Sequence, residues 1–213
     1  MKKPKTQRTE FTRKRYNTVS TIYDLVEWPV EQIWYKKWRR ELWQQIHGPK
    51  VLEIGVGTGK NISHYPGNVE LTGIDLSPGM LKRAKKILPE SMNDSVTLRE
   101  MDAQQMDFPD GTFDQVVATF VFCSVPDPVI GLQEAHRVTK PGGKLHLLEH
   151  MRAEQPFLAG LMEALDVPIH YVTGVHIARQ TVANVEKAGW QIEQVKDLTA
   201  KGIFKKIEAI KSY

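Results

Sequence analysis

The stretch Lys50-Val51-Leu52-Glu53-Ile54-Gly55-Val56-Gly57-Thr58-Gly59-Lys60-Asn61 constrains the fold more than any other part of the chain. A short apolar run ends in an acid and an isoleucine, and three glycines then alternate with small residues. That pattern reads as a buried strand breaking into a tight turn, followed by a helix start. Glycine there lets the backbone approach a ligand closely or adopt positive φ. Amides at such a turn can hold an anionic group. A dinucleotide fingerprint, G-x-G-x-x-G, would need its third glycine at position 60, where Lys60 stands.

The neighbouring stretches extend the same pattern. Val69 to Asp75 reads as a second strand ending in a carboxylate, sixteen residues beyond Gly59. In a βαβ unit that acid lies beside the first turn and can accept ribose hydroxyls. Ser77-Pro78 suits an N-cap and first helical position, with Met80, Leu81, Ala84 and Leu88 at helical spacing. Val96-Thr97-Leu98 leads to Met101-Asp102-Ala103, a third loop suited to an adenine ring and amino group. Phe113 to Thr119 is a fourth strand, and Pro141-Gly142-Gly143 turns into a fifth that ends at Glu149-His150. Pro128 to Val138 and Thr181 to Gly189 read as helices. Trp190 to Val195 and Ile203 to Ile210 make strands six and seven, a hairpin ending.

Taken together, residues 16 to 198 resemble the class I S-adenosylmethionine-dependent methyltransferases. Within them the chain is similar to the type 11 group, which contains the ubiquinone/menaquinone methyltransferases. The resemblance implies an α/β, Rossmann-like sheet of seven strands with helices on both faces and an N-terminal helical lid. It implies S-adenosyl-L-methionine as cofactor, contacted by Tyr23 of the lid and by Glu53, Gly55, Gly57, Gly59, Asn61, Asp75, Leu76, Met80, Asp102, Ala103 and Thr119. Asn61 fits a structural cap as well. Thr119-Phe120-Val121-Phe122-Cys123-Ser124-Val125 also looks like a stretch of the microsomal alkyl-thiol methyltransferases. The basic aromatic N-terminus is similar to that of bacterial phosphatidylethanolamine methyltransferases.

Composition bounds the rest. Continuous βα alternation over 213 residues, 41% of them hydrophobic, favours one domain with a substantial core. Its parts are a basic tail over 1–15, expected to be disordered, a helical lid over 16–48, a cofactor-binding half over 49–150 and a substrate-side half over 151–213. The single Cys123 excludes an internal disulfide, gives no metal cluster and makes a reducing compartment the default. No run reaches the ~20 apolar residues of a membrane span. The expected location is therefore cytoplasmic.

Charge is uneven: residues 1–50 carry a net +7 and residues 51–213 a net −3. Trp28, Trp34, Trp38 and Trp43 fall in the basic part, among Lys36, Lys37, Arg39 and Arg40. Either these aromatics cap the sheet core, or residues 1–43 lie peripherally on an anionic membrane surface. The basic residues accompany no recognition module, so no nucleic-acid partner is expected.

The acceptor side should follow strand five. Residues 154–176 lack a βα pattern and suggest an apolar substrate cover. Gly174 to Thr181 resembles the family pattern G-C-H-L-N-R-x-T, with Val175 and Ala178 in place of its Cys and Asn. Methyl transfer needs positioning and a partly desolvated pocket. A thiol, hydroxyl or amine acceptor must also lose a proton, for which a histidine suits. His150 is the first candidate, then His170 and His176. Cys123 reads as a packing residue. The expected reaction is methyl transfer to a small or lipid-like acceptor: a thiol, a lipid amine or a quinone-type ring. A cofactor-binding module without catalysis and a nucleotide-dependent oxidoreductase are the alternatives.

Overall fold

The computed structural model describes residues 5–19, 34–199 and 201–213. Tyr23 and Trp28 lie outside them. Seven strands form one sheet: β1 (Lys50–Ile54), β2 (Glu70–Asp75), β3 (Val96–Glu100), β4 (Phe113–Thr119), β5 (Thr139–His150), β6 (Gln191–Asp197) and β7 (Phe204–Ile210). Their order is β3-β2-β1-β4-β5-β7-β6. Strands β1 to β5 pair in parallel, and β7 pairs antiparallel with both β5 and β6. The order reverses at β1, so the crevice beyond the carboxyl ends of β1 and β4 is where ligands bind in such sheets.

Period-two alternation sends side chains to both faces. Leu52, Val116 and Leu145 pack on one face with Leu132 and Ala135 of α4 (Pro128–Val138) and Val185 of α6 (Thr181–Lys187). Val51, Leu71 and Val117 pack on the other with Leu42 and Trp43 of α2 (Lys36–Trp43) and Leu81 and Ala84 of α3 (Pro78–Ile87). Both α3 and α4 start as their sequences predict. Ser77 Oγ accepts from Met80 N at 3.2 Å and Asp127 Oδ1 from Ile130 N at 3.2 Å, each with proline in the first turn.

The structure corrects four expectations. No full helix follows the glycine loop. Only a single 3-10 turn forms over Ile62–His64, because Pro66 holds Tyr65 in an extended conformation. From Lys5 on, the basic tail is helical: Lys5–Val19 is helix α1. Its hydrophobic pattern is featureless because its docked stripe is polar. Thr9, Arg13 and Asn17, four residues apart, reach Asp102, Glu100 and Ser77. Residues 154–176 are mostly one helix, α5 (Pro156–Thr173), closed by Gly174 at φ 83°. Finally, the aromatics around α2 divide between the core-capping and the surface alternative. Trp38, Trp43 and even Arg39 are buried, which leaves Trp34, Lys36, Lys37 and Arg40 on the surface.

Candidate active site

A cleft of about 870 Å³, counted to its open mouth, sits at the carboxyl ends of β1, β2 and β4. Its walls include Gly55 to Thr58 and Lys60 of the glycine loop, Asp75 and Leu76 after β2, and Met80 of α3. Met101 to Ala103 follow β3, Thr119 to Val121 follow β4, and Ser124 to Pro126 complete that side. Gly55, Gly57 and Gly59 all have positive φ. Two of them do different work. A Cβ on Gly55 would stand 2.3 Å from Val121 Cγ2, whereas one on Gly57 would meet nothing within 4 Å. Gly55 is required by close packing across the cleft floor, and Gly57 presents bare backbone to the open space.

Asp75 accepts from Gly57 N and from Ser77 N, each at 2.8 Å. Burial pushes its carboxyl up to about 6, against the pull of those two amides. A carboxylate fixed by backbone at the end of β2 suits paired ribose hydroxyls. Asp102 accepts from Gln104 N at 2.8 Å and from Thr9 Oγ1 at 3.3 Å, which ties α1 to the third loop. Thr12 and Tyr16 carry α1 into the cleft wall.

Glu53 and Asn61 stand beneath the loop, not in the cleft wall. Glu53 accepts from Asn61 Nδ2 at 2.5 Å and from the Tyr65 hydroxyl. Burial raises Glu53 to about 7, partly offset by Asn61, Tyr65 and the Arg39 charge. Arg39 donates to Thr119 Oγ1 at 2.6 Å and to Asn61 Oδ1 at 3.1 Å, and Asn61 Nδ2 reaches Thr119 Oγ1 at 2.9 Å. Arg39 lines the cleft from below. Its basic surroundings in the sequence gave no sign that it is buried.

At the end of β4 the chain turns through Phe120 at φ 59°, where a non-glycine residue is strained. Its ring packs on Tyr35 at 4.3 Å and lies under the Arg39 guanidinium at 5.1 Å. Glu149 Oε1 accepts from Val121 N and Phe122 N, each at 2.9 Å, and fixes the next turn. Burial raises this carboxyl to about 7 as well, and Oε2 has no hydrogen-bond partner.

The three histidines part company. None of them is in the cleft wall itself. His150 packs edge-on against Phe204 at 5.1 Å, and Phe204 in turn packs on Phe120 at 6.2 Å, one aromatic layer behind the cleft. His170 of α5 and His176 stack at 3.8 Å. His176 Nδ1 lies 2.6 Å from Asp166 Oδ2, and Asp166 Oδ1 accepts from Ile177 N at 2.7 Å and Ala178 N at 3.0 Å. Burial pushes Asp166 up, but those hydrogen bonds outweigh it and hold the carboxyl below its ordinary value. Burial lowers His176, against the pull of Asp166. This segment is stitched to the cleft: His176 N donates to Cys123 O at 2.9 Å, and Arg179 Nη2 to Val125 O at 2.9 Å. Sequence reading named His176 but missed Asp166, which the Gly174–Thr181 motif does not include. Among the described residues, no group of His, Cys, Asp and Glu could hold a metal ion.

Residues 52–147 match the Methyltransferase domain family. The chain is 35% identical over 172 residues to a rat thiol S-methyltransferase, covering 72% of this chain and 69% of that protein. It is 43% identical over 119 residues to a phosphatidylethanolamine N-methyltransferase of Cereibacter sphaeroides, covering 55% of this chain. The matched region spans about three fifths of that relative's length (59%). A solved S-adenosylmethionine-dependent methyltransferase from Thermotoga maritima superposes with TM-score 0.69 at 21% identity, over 93% of this chain and 99% of that one. The fold and cleft define an α/β class I methyltransferase. The chain belongs to the S-adenosylmethionine-dependent methyltransferase family, and S-adenosyl-L-methionine is its cofactor. The cleft fits that group, with a bare glycine turn, a half-buried carboxylate at β2 and apolar Leu76, Met80 and Met101 around it.

Proposed function

We propose that this enzyme methylates a small or amphipathic acceptor whose nucleophile gives up a proton, a thiol or a lipid amine. The hydrogen-bonded Asp166–His176 pair, sewn to the loop that walls the cleft, carries this reading. When bound, S-adenosylmethionine supplies an electrophilic methyl group on a sulfonium. Asp75 would hold its ribose, Met101 to Ala103 its adenine, and the Gly55–Gly57 backbone with Arg39 its amino-acid end. Asp166 can only accept, so His176 keeps its proton on Nδ1 and offers Nε2 as the base. Burial keeps the imidazole neutral, the form able to take the acceptor's proton. Phe120, Val121 and Ser124 line the cleft at the end of β4, and the apolar side chains of the first two would limit water at the reacting centre.

The relatives named as thiol and phosphatidylethanolamine methyltransferases support both acceptor classes. A quinone-type ring is the third class, supported by a demethylmenaquinone methyltransferase at 33% identity over 154 residues. The surface cations of residues 1–43 would face anionic lipid, as suits an amphipathic acceptor. A screen with methyl-labelled cofactor over alkyl thiols, phosphatidylethanolamine vesicles and demethylated quinols tests the assignment. Transfer to a thiol or lipid amine is expected. Transfer to the quinol alone would move the acceptor to the third class, and transfer to none would overturn the reading.

A further inference from the structure

Helix α5 is amphipathic the wrong way round for a protein surface. Phe157, Val167 and Tyr171 are 83%, 74% and 71% exposed, and Leu161 and Leu165 are exposed beside them. Exposed Gly160, Ala164 and Pro168 complete the same side. At 3.6 residues per turn these positions fill one continuous arc of about 160°, with no charged residue in it. The ionisable residues stand off that arc. Asp166 and His170 turn inward toward His176, and Glu163 pairs with Arg152 at 2.6 Å. A contiguous exposed apolar face of this kind marks an interaction surface.

We infer that this face of α5 lies in the interfacial layer of an anionic bilayer, parallel to its plane. The inference extends the membrane reading above from the basic N-terminus to an apolar element. The charge beside α5 supports the choice of a bilayer. Helix α1 carries a net +4 over Lys5–Val19 and runs against the C-terminal end of α5. Phe11 meets His170 at 6.2 Å, and Arg15 donates to the Tyr171 carbonyl with its guanidinium 5.9 Å from the Tyr171 ring. A cationic helix flanking an apolar one is the composition of a surface-bound anchor. Size argues against a second copy of the chain. A helix of 18 residues is about 27 Å long, and its face gives a few hundred Å², below the roughly 800 Å² per partner of a stable protein interface. No helix among the described residues is long and apolar enough to cross a membrane, so α5 rests on it. Because α1 also lines the cleft through Thr12 and Tyr16, the same docking turns that wall of the site toward the lipid.

The full chain is sedimented with vesicles of phosphatidylcholine alone and of equal parts phosphatidylcholine and phosphatidylglycerol, at low and high salt. Binding to the mixed vesicles that persists in part at high salt is expected. Phe157→Asp with Leu161→Asp should lower it at least tenfold at both salts. Lys5→Glu with Lys14→Glu, both on α1, should remove only the salt-sensitive part. Val167→Asp alone tests the same arc should the double variant fail to fold. Equal sedimentation of wild type and α5 variants overturns the inference, as does a wild type that ignores both vesicles. So does a dimer, seen by light scattering, that the α5 variants dissolve. Calorimetric binding of S-adenosylmethionine, unchanged in every variant, keeps this result separate from the methyltransferase assignment.

Discussion

Glu53 and Glu149 are both buried carboxylates near a carboxyl end of the sheet, both raised to about 7, and both anchor a loop of the cleft. They differ in what they hold and how completely. Glu53 works through side chains, Asn61 and Tyr65, within a network that also ties Arg39 to Thr119. Every polar group there has its partner. Glu149 works through backbone amides and leaves Oε2 without one, and Arg179 Nε, whose charge it feels, is also unpartnered. Buried polar groups are ordinarily satisfied; Gln115 Oε1 and both His146 nitrogens, inside the sheet, are exceptions too, but a buried carboxylate oxygen beside an Arg nitrogen is the costliest of them to leave unpaired. The glycine-loop side, which we propose cradles the cofactor, is hydrogen-bonded throughout the Glu53 network. The proposed acceptor side holds polar capacity in reserve.

The largest effects should come from breaking the cradle. Gly55→Ala puts a methyl into Val121 at positive φ, so it should destabilise the fold and abolish S-adenosylmethionine binding together. Gly57→Ala meets open space, so its fold should lose only the left-handed cost of about 1–2 kcal/mol. Asp75→Ala should weaken binding by roughly 1.5–3 kcal/mol, about tenfold or more, and should also lower stability, because Gly57 N and Ser77 N lose their acceptor. Thermal melts with calorimetry read both quantities. Equal losses of stability in the two glycine variants would break the distinction drawn between them.

The next effect belongs to the acceptor side. Asp166→Asn leaves His176 in place but removes its carboxylate partner, and His176→Ala removes the base. Each should lower turnover by about 10²–10⁴-fold while leaving cofactor affinity within a factor of two. In the wild type, turnover should rise with pH as His176 loses its proton, below the ordinary imidazole range because burial lowers it. The Arg179 charge also favours the neutral form of this ring, while Asp166 opposes it; the stacked His170 is itself held towards its neutral form by burial and by His176. The limb should vanish in His176→Ala. A limb that survives there assigns the proton transfer elsewhere.

These two sides were not equally legible in the sequence. The cradle is local: Gly55, Gly57 and Asp75 sit at fixed spacings from strand ends, so pattern and turn chemistry reveal it. Arg39 escaped because its neighbours Lys36, Lys37 and Arg40 are surface cations, and nothing in a one-dimensional reading separates the one that turns inward. Helix α1 escaped for a related reason, since its docked residues are Thr9, Arg13 and Asn17 and periodicity methods look for apolar stripes. In α5 the stripe exists but points outward, so the segment looked like irregular cover. Asp166 pairs with His176 across ten residues and a helix end, a meeting only the fold brings about.

A smaller effect separates the two carboxylates themselves. Each has a folded value near 7 against an ordinary 4.5, so the folded state holds its proton more tightly than the unfolded chain. Each therefore lowers stability as pH rises from about 4.5 to 7, and the full cost, up to about 3 kcal/mol, remains above that window. Glu149→Gln should flatten this slope with a net gain near neutral pH. Its oxygen still accepts from Val121 and Phe122, and the amide replaces the unpartnered Oε2. Glu53→Gln should flatten it with less gain, because the Tyr65 hydroxyl must turn round to accept. Urea midpoints measured across pH 4.5–8 would show the order. A larger gain for Glu53→Gln would mean that its network is under more strain than its complete hydrogen bonding indicates.

The smallest effect is expected at His150, and it tests where the acceptor side ends. The residue follows Glu149 directly, and strand alternation sends its ring to the opposite face, against Phe204 instead of the cleft. Burial lowers its imidazole, so it is neutral through the physiological range and carries no charge for a ligand to feel. His150→Ala removes an edge-on aromatic contact and one unpartnered nitrogen, two changes of opposite sign for stability. The net loss should be about 1 kcal/mol, read from the urea midpoint. Turnover should change less than threefold, and only through slight movement of Phe204 and Phe120. The pH–rate limb should stay where it is. If that limb disappears in His150→Ala and persists in His176→Ala, the proton crosses the aromatic layer, and the boundary drawn at Phe120 is in the wrong place.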